Sequence, residues 1–152
     1  MKKTIHIAGI GLLLVSMIMV GCATMAPVQK TTITTANLSA LAGKWQGWTN
    51  FDDFPGQPIM TTVEIPNSTI PLQGTITFPN VSAGAAAAVP GVFTTAGQNV
   101  VQFSNGRISQ RGTLIAKTGM NFIEFTYYGG DKPKLDGWFF YMGASGTMSV
   151  SK

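Results

Sequence analysis

The stretch IMTTVEIPNSTIPLQGTITF, residues 59–78, decides the fold. Ile59, Thr61, Val63 and Ile65 fall on one side of an extended chain, with Met60, Thr62 and Glu64 on the other. After Pro66-Asn67-Ser68, a turn-forming trio, the alternation resumes with Ile70, Leu72, Gly74, Ile76 and Phe78 against Gln73, Thr75 and Thr77. Side chains alternate across a strand with period two, so these are two half-buried strands. The connection is too short for the crossover that a parallel pair needs, so the pair is antiparallel.

The same period extends outward from this pair. Upstream, Trp45, Gly47, Thr49 and Phe51 share a face of another strand, and Asp52-Asp53 reads as a solvated turn leading back. Asn37 to Gly43 reads as a short helical turn, with Asn37 as its cap and Gly43 as its stop. Downstream, residues 79–98 break the pattern. Ala85 to Ala88 is too short to hold a helix alone, so the segment is expected to be a long loop with a helical fragment and a doubtful strand at Val92 to Thr95. Alternation returns in residues 99–104, and Asn105-Gly106 is the strongest hairpin signal in the chain because a type I′ turn needs positive φ twice. Residues 107–117, 120–128, 134–142 and 146–151 supply the remaining strands, separated by Thr118-Gly119 and by Gly129 to Pro133.

No stretch suits a crossover helix. The expected fold is therefore all-β, an antiparallel up-and-down meander of about eight strands with a short N-terminal helical turn. Such a set closes into a barrel or stacks as a sandwich. Closure removes exposed strand edges and favours a small closed barrel. Gly47, Gly74, Gly112 and Gly137, each within a strand pattern, mark bends or close backbone approach.

The N-terminus reads differently. Lys2 and Lys3 precede the apolar run Ile5 to Val20, which Gly21-Cys22 closes. This is the layout of a secretory signal peptide, and the run falls short of the ~20 apolar residues of a spanning helix. The expected organisation is a leader at 1–21, a tether at 22–36 rich in threonine, and a β-barrel domain at 37–152. Removing the leader discards Lys2, Lys3 and His6, which lowers the formal charge from +4 to +2. No Lys/Arg run remains, so nucleic acid is not an expected partner.

The chain has one histidine, His6, and one cysteine, Cys22. Past the leader there is no imidazole for Ser-His-Asp or Cys-His chemistry, and no His or second Cys for a zinc site. No metal or cofactor is expected, and an enzyme is the least favoured class. Asp52 and Asp53 are adjacent, which on a strand would send them to opposite faces rather than into one site.

Met19-Val20-Gly21-Cys22 resembles the lipobox of bacterial lipoprotein precursors, with Met19 in place of the usual leucine. The resemblance implies diacylglycerol on Cys22, cleavage before it and attachment to the cell envelope. Ala23, which is not aspartate, implies the outer membrane facing the periplasm if the cell is Gram-negative. Leu41-Ala42-Gly43-Lys44-Trp45, a helical turn followed by Gly-x-Trp, resembles the opening of lipocalin and calycin barrels. The resemblance implies that Trp45 packs across the barrel base beneath a late basic residue. No arginine follows Arg111, so Lys134 or Lys152 would have to serve.

Two functional readings follow. In the first, Trp45, Phe78, Phe103 and Phe122 wall a cavity for a small hydrophobic ligand, with Gln110 or Glu124 as polar contact. In the second, Trp45, Phe78, Phe103 and Phe122 or Phe125 fill the barrel, and the outer surface engages a partner. Residues 121–127 and 135–141 are apolar on both faces, so Trp138 and Phe140 need cover. That cover is the N-terminal turn with Leu38 and Leu41, a symmetric partner, or a membrane.

Overall fold

A computed structural model describes residues 28–152; the leader, the lipobox and Cys22 lie outside the described residues. A 3₁₀ turn, Thr35–Leu41, precedes β1 (Gly43–Phe51), β2 (Phe54–Ile65) and β3 (Leu72–Val81). A short helix, α1 (Ala83–Ala88), leads to β4 (Gly97–Ile108), β5 (Leu114–Thr118), β6 (Asn121–Tyr128), β7 (Lys134–Tyr141) and β8 (Ala144–Ser151). Each strand pairs antiparallel with its neighbours, and β8 returns to β1, so the eight strands form a closed up-and-down barrel.

The faces expected of β1, β2 and β3 point as the alternation requires. Trp45, Thr49 and Phe51, then Ile59, Thr61, Val63 and Ile65, then Leu72, Ile76 and Phe78 are all buried inside. Ile70 stands apart, exposed ahead of β3. Two glycines make room for inner aromatic rings. Gly74 pairs with Phe103 and Gly137 with Phe125, and a Cβ on either glycine would lie within 2.8 Å of the partner ring.

Several local expectations need correction. Asn105-Gly106 is not a hairpin turn. β4 runs through it, and the positive φ of Asn105 (60°) serves a bulge where the register with β3 slips between Leu72↔Gly106 and Gly74↔Phe103. The chain turns later, at Ser109 to Gly112, where Ser109 N donates to Thr113 O. Met142-Gly143, with φ of 51° and 89°, forms the tight β7–β8 connection, although methionine carries no turn signal. Val92 to Thr95 forms no strand. Asn37 is not the cap; Thr34 is, and the Asn37 side chain accepts from the Thr34 N–H at 2.7 Å.

The last residues of the expected tether also differ. Thr31 N donates to Tyr127 O at 2.8 Å, Ile33 N donates to Gly112 O at 2.9 Å, and the Ile33 side chain is buried. These residues belong to the barrel because an apolar side chain and two backbone donors find partners on it.

Candidate functional site: a cavity between two plugs

The base of the barrel is plugged. Trp45, 0% exposed, donates from Nε1 to Leu41 O at 2.9 Å. The Lys152 ammonium lies 4.5 Å from the centre of the indole ring and donates to Ala40 O and Ala42 O, each at 2.7 Å. Lys152 thus supplies the late cation over Trp45, while Lys134 instead forms an ion pair with Asp136 at 2.8 Å. Desolvation at the base lowers the Lys152 pKa from the usual lysine value. Tyr127 meets the indole edge-on at 6.2 Å.

The opposite end has a different plug. Phe93, from the loop after α1, lies 5.1 Å from both Phe51 and Phe78, and Phe51 lies 5.2 Å from Phe139. Offset and edge-on contacts of this kind favour aromatic clusters beyond their buried area. Asn99, buried at the head of β4, clamps the loop. Its Oδ1 accepts from Thr94 N at 3.0 Å, and its Nδ2 donates to Thr95 O at 2.8 Å. Ser82 starts α1 by accepting from Ala85 N at 3.1 Å, which places buried Ala85 against the core. Sequence reasoning passed over Phe93, which lies where the alternation fails, and Asn99, whose partners Thr94 and Thr95 lie there.

Between the plugs, Thr49 and Thr61 face each other with hydroxyls 2.7 Å apart. Thr61 donates to Ile59 O at 2.9 Å, so the shared proton is that of Thr49. Beside the aromatic cluster lies a partly open cavity of about 300 Å³. Ile76, Phe78, Phe103, Ile123, Phe139 and Met148 give it apolar walls, and Gln102, Ser104, Asn121 and Tyr141 give it polar atoms. Among the described residues, no Asp, Glu, Lys, Arg or His lines it.

Of the expected ligand residues, Phe78 and Phe103 line this cavity from inside. Phe122 borders it, but on β6 it alternates with inward-facing Ile123 and Phe125 and stacks outward on Trp138 at 5.3 Å. Trp45 does not line it; it belongs to the base plug. Gln110 and Glu124 are not there either. They border a separate surface depression with Arg107 and Arg111, where Glu124 accepts from buried Thr113 Oγ1 at 2.6 Å. Gln102, Ser104 and Asn121 take their place. Only the strand register, which brings β4, β5 and β6 around one space, could have found them.

Trp138 is 50% exposed and Phe140 half-buried on the outer wall, where Phe140 pairs with Phe122 across the strands. The N-terminal turn does not cover this patch; Leu38 and Leu41 are buried in the barrel's core. Asp52 and Asp53 form the exposed two-residue β1–β2 turn. Among family models, curated proteins and solved structures, no match to this chain is found.

Proposed function

We propose that the chain is a lipid-anchored protein of the cell envelope whose barrel binds or carries one small hydrophobic molecule. The cavity of about 300 Å³, walled by aromatic and aliphatic side chains, carries the binding half of this reading. Its size lies at the low end of small-molecule sites, and its mix of apolar walls with a few convergent polar groups is typical of them. Gly21-Cys22 at the end of an apolar run carries the anchoring half, with attachment to the outer membrane if the cell is Gram-negative. Acyl chains contribute roughly 0.8 kcal/mol per buried CH₂, and two or more chains make an anchor stable. The apolar wall supports a binder in preference to an enzyme.

Native mass spectrometry tests the binding half on residues 28–152, which contain every described strand and both plugs. An added mass that denaturation removes is expected after contact with a bacterial membrane extract. A bare monomer under the same conditions counts against it. For the anchoring half, Cys22→Ala should abolish acyl labelling and leave the precursor uncut. Mature protein of normal size from that variant would point to an ordinary signal peptide.

A second reading rests on the outer wall. Phe122, Trp138 and Phe140 form an apolar patch suited to a second copy or another protein. A clean dimer in the same spectra, lost in Trp138→Ser, would support it.

A further inference from the structure

The barrel is closed unevenly, and the weak seam lies beside the cavity. β4 and β5 are joined by two residue pairs, Arg107↔Ile115 and Ile108↔Leu114, whereas β7 and β8 are joined by eight. From Gly97 to Gly106, β4 pairs with β3 alone, which leaves its other edge free of ladder bonds. Gln102 and Ser104 on that edge line the cavity, as do Ala116 on β5 and Asn121 at the start of β6. Both ends, by contrast, are shut by side chains with identified partners. Trp45 and Lys152 are hydrogen-bonded across the base, and Phe93 is wedged among Phe51 and Phe78 beneath the Asn99 clamp.

We propose that the cavity exchanges a neutral, largely apolar molecule bearing a hydrogen-bonding group, and that exchange runs through the barrel side between β4 and β5. This rests on the ligand-binding reading above. Neutrality follows from the lining: an ionised group buried here would meet no opposite charge, and unpaired burial of a charge is strongly disfavoured. The polar residues of the lining, Gln102, Ser104 and Asn121, lie at the seam, where the free edge of β4 also leaves backbone groups without ladder partners, so the ligand's hydrogen-bonding group faces the opening while its apolar part points to Phe78 and Phe139. The side route requires no ring to leave the aromatic cluster and no backbone ladder to break.

The test uses two fluorescent probes of nearly one shape, neutral N-phenylnaphthylamine and anionic anilinonaphthalene sulfonate, followed by stopped flow on residues 28–152. The neutral probe should bind, and the sulfonate should bind at least about tenfold more weakly. Gln102→Trp and Ser104→Trp place bulk at the seam. Each should slow association and dissociation by a similar factor, about tenfold, while Kd stays within about twofold, because an obstructed route changes both directions alike. The thermal unfolding midpoints show which variants are folded. Asn99→Ala, which releases the loop bearing Phe93, should leave both rates unchanged.

Equal binding of the sulfonate would overturn the assignment of a neutral ligand. Unchanged rates in both tryptophan variants, with both rates raised in Asn99→Ala, would place exchange at the capped end and overturn the side route. A change confined to dissociation would make Gln102 or Ser104 a contact rather than a gate, which also overturns it. Failure of both probes to bind at any concentration would instead strike the ligand-binding reading itself.

Discussion

At the barrel base a cation covers one face of the buried Trp45 indole, and that cation's protons need acceptors. Lys152 meets both needs with one amine, over the ring and on two carbonyls of the turn before β1. An ammonium is a point charge with three rotatable donors, so it can serve two carbonyls and a ring face from one position. Lys152→Met should therefore lower the unfolding free energy by about 1–3 kcal/mol, read from urea denaturation. Trp45→Phe in the same background should cost about 1–3 kcal/mol more, because it removes the Nε1 bond to Leu41 O and leaves buried space unfilled. Deep in the barrel the constraint is space instead. Gly137→Ala drives a methyl to 2.8 Å from the Phe125 ring, and should destabilise by about 1–3 kcal/mol, with loss of near-ultraviolet dichroism from the displaced ring.

Among the elements, β4 carries the most information. It is bent at Asn105, held to β3 along its length, and tied to the cap through Asn99. A Cβ on Gly106 would lie 2.8 Å from Leu72 O, so Gly106→Val should lower the unfolding free energy by about 1–3 kcal/mol, whereas Asn105→Gly should be tolerated. This strand also marks how far the sequence can be read. Period-two alternation is local, and it identified the inward faces of β1, β2 and β3 and the meander as a whole. Asn105-Gly106 signals positive φ just as locally, but a hairpin and a bulge both satisfy it. The choice lies with Leu72, on another strand, which continues to pair beyond the bend. The same reason hid the cavity's polar residues. Gln102 and Ser104 alternate outward and look solvated in sequence, and become cavity lining because β5 is too short to cover them. The Lys152 contact was half legible: a late basic residue was expected over Trp45, while the choice between Lys134 and Lys152 depended on which strand end meets the base.

The whole molecule is electrically lopsided along the barrel axis. Of the eight cationic residues in 28–152, all but Lys117 lie on the half that holds Trp45, together with Glu64, Glu124, Asp131 and Asp136. That half carries a formal +3, and the capped half, with Asp52, Asp53 and Lys117, carries −1. The docked N-terminal segment joins the positive half, through the Thr31 and Ile33 hydrogen bonds to Tyr127 and Gly112. An anchor on Cys22 would therefore deliver the cationic end to the bilayer, with five residues separating Cys22 from Val28, the first described residue. Each lysine or arginine near an anionic surface contributes about 1 kcal/mol of attraction, and salt screens it. Lipidated protein in vesicles containing phosphatidylglycerol should then stand base-down. Lys30 and Lys132 should react slowly with a membrane-impermeant amine reagent, while Lys117 reacts as in free solution. The protection should fade when salt is raised or when the vesicles are pure phosphatidylcholine. Equal labelling of Lys30, Lys132 and Lys117 on anionic vesicles would mean that the tether alone, and not the charge of the barrel, sets the distance from the membrane.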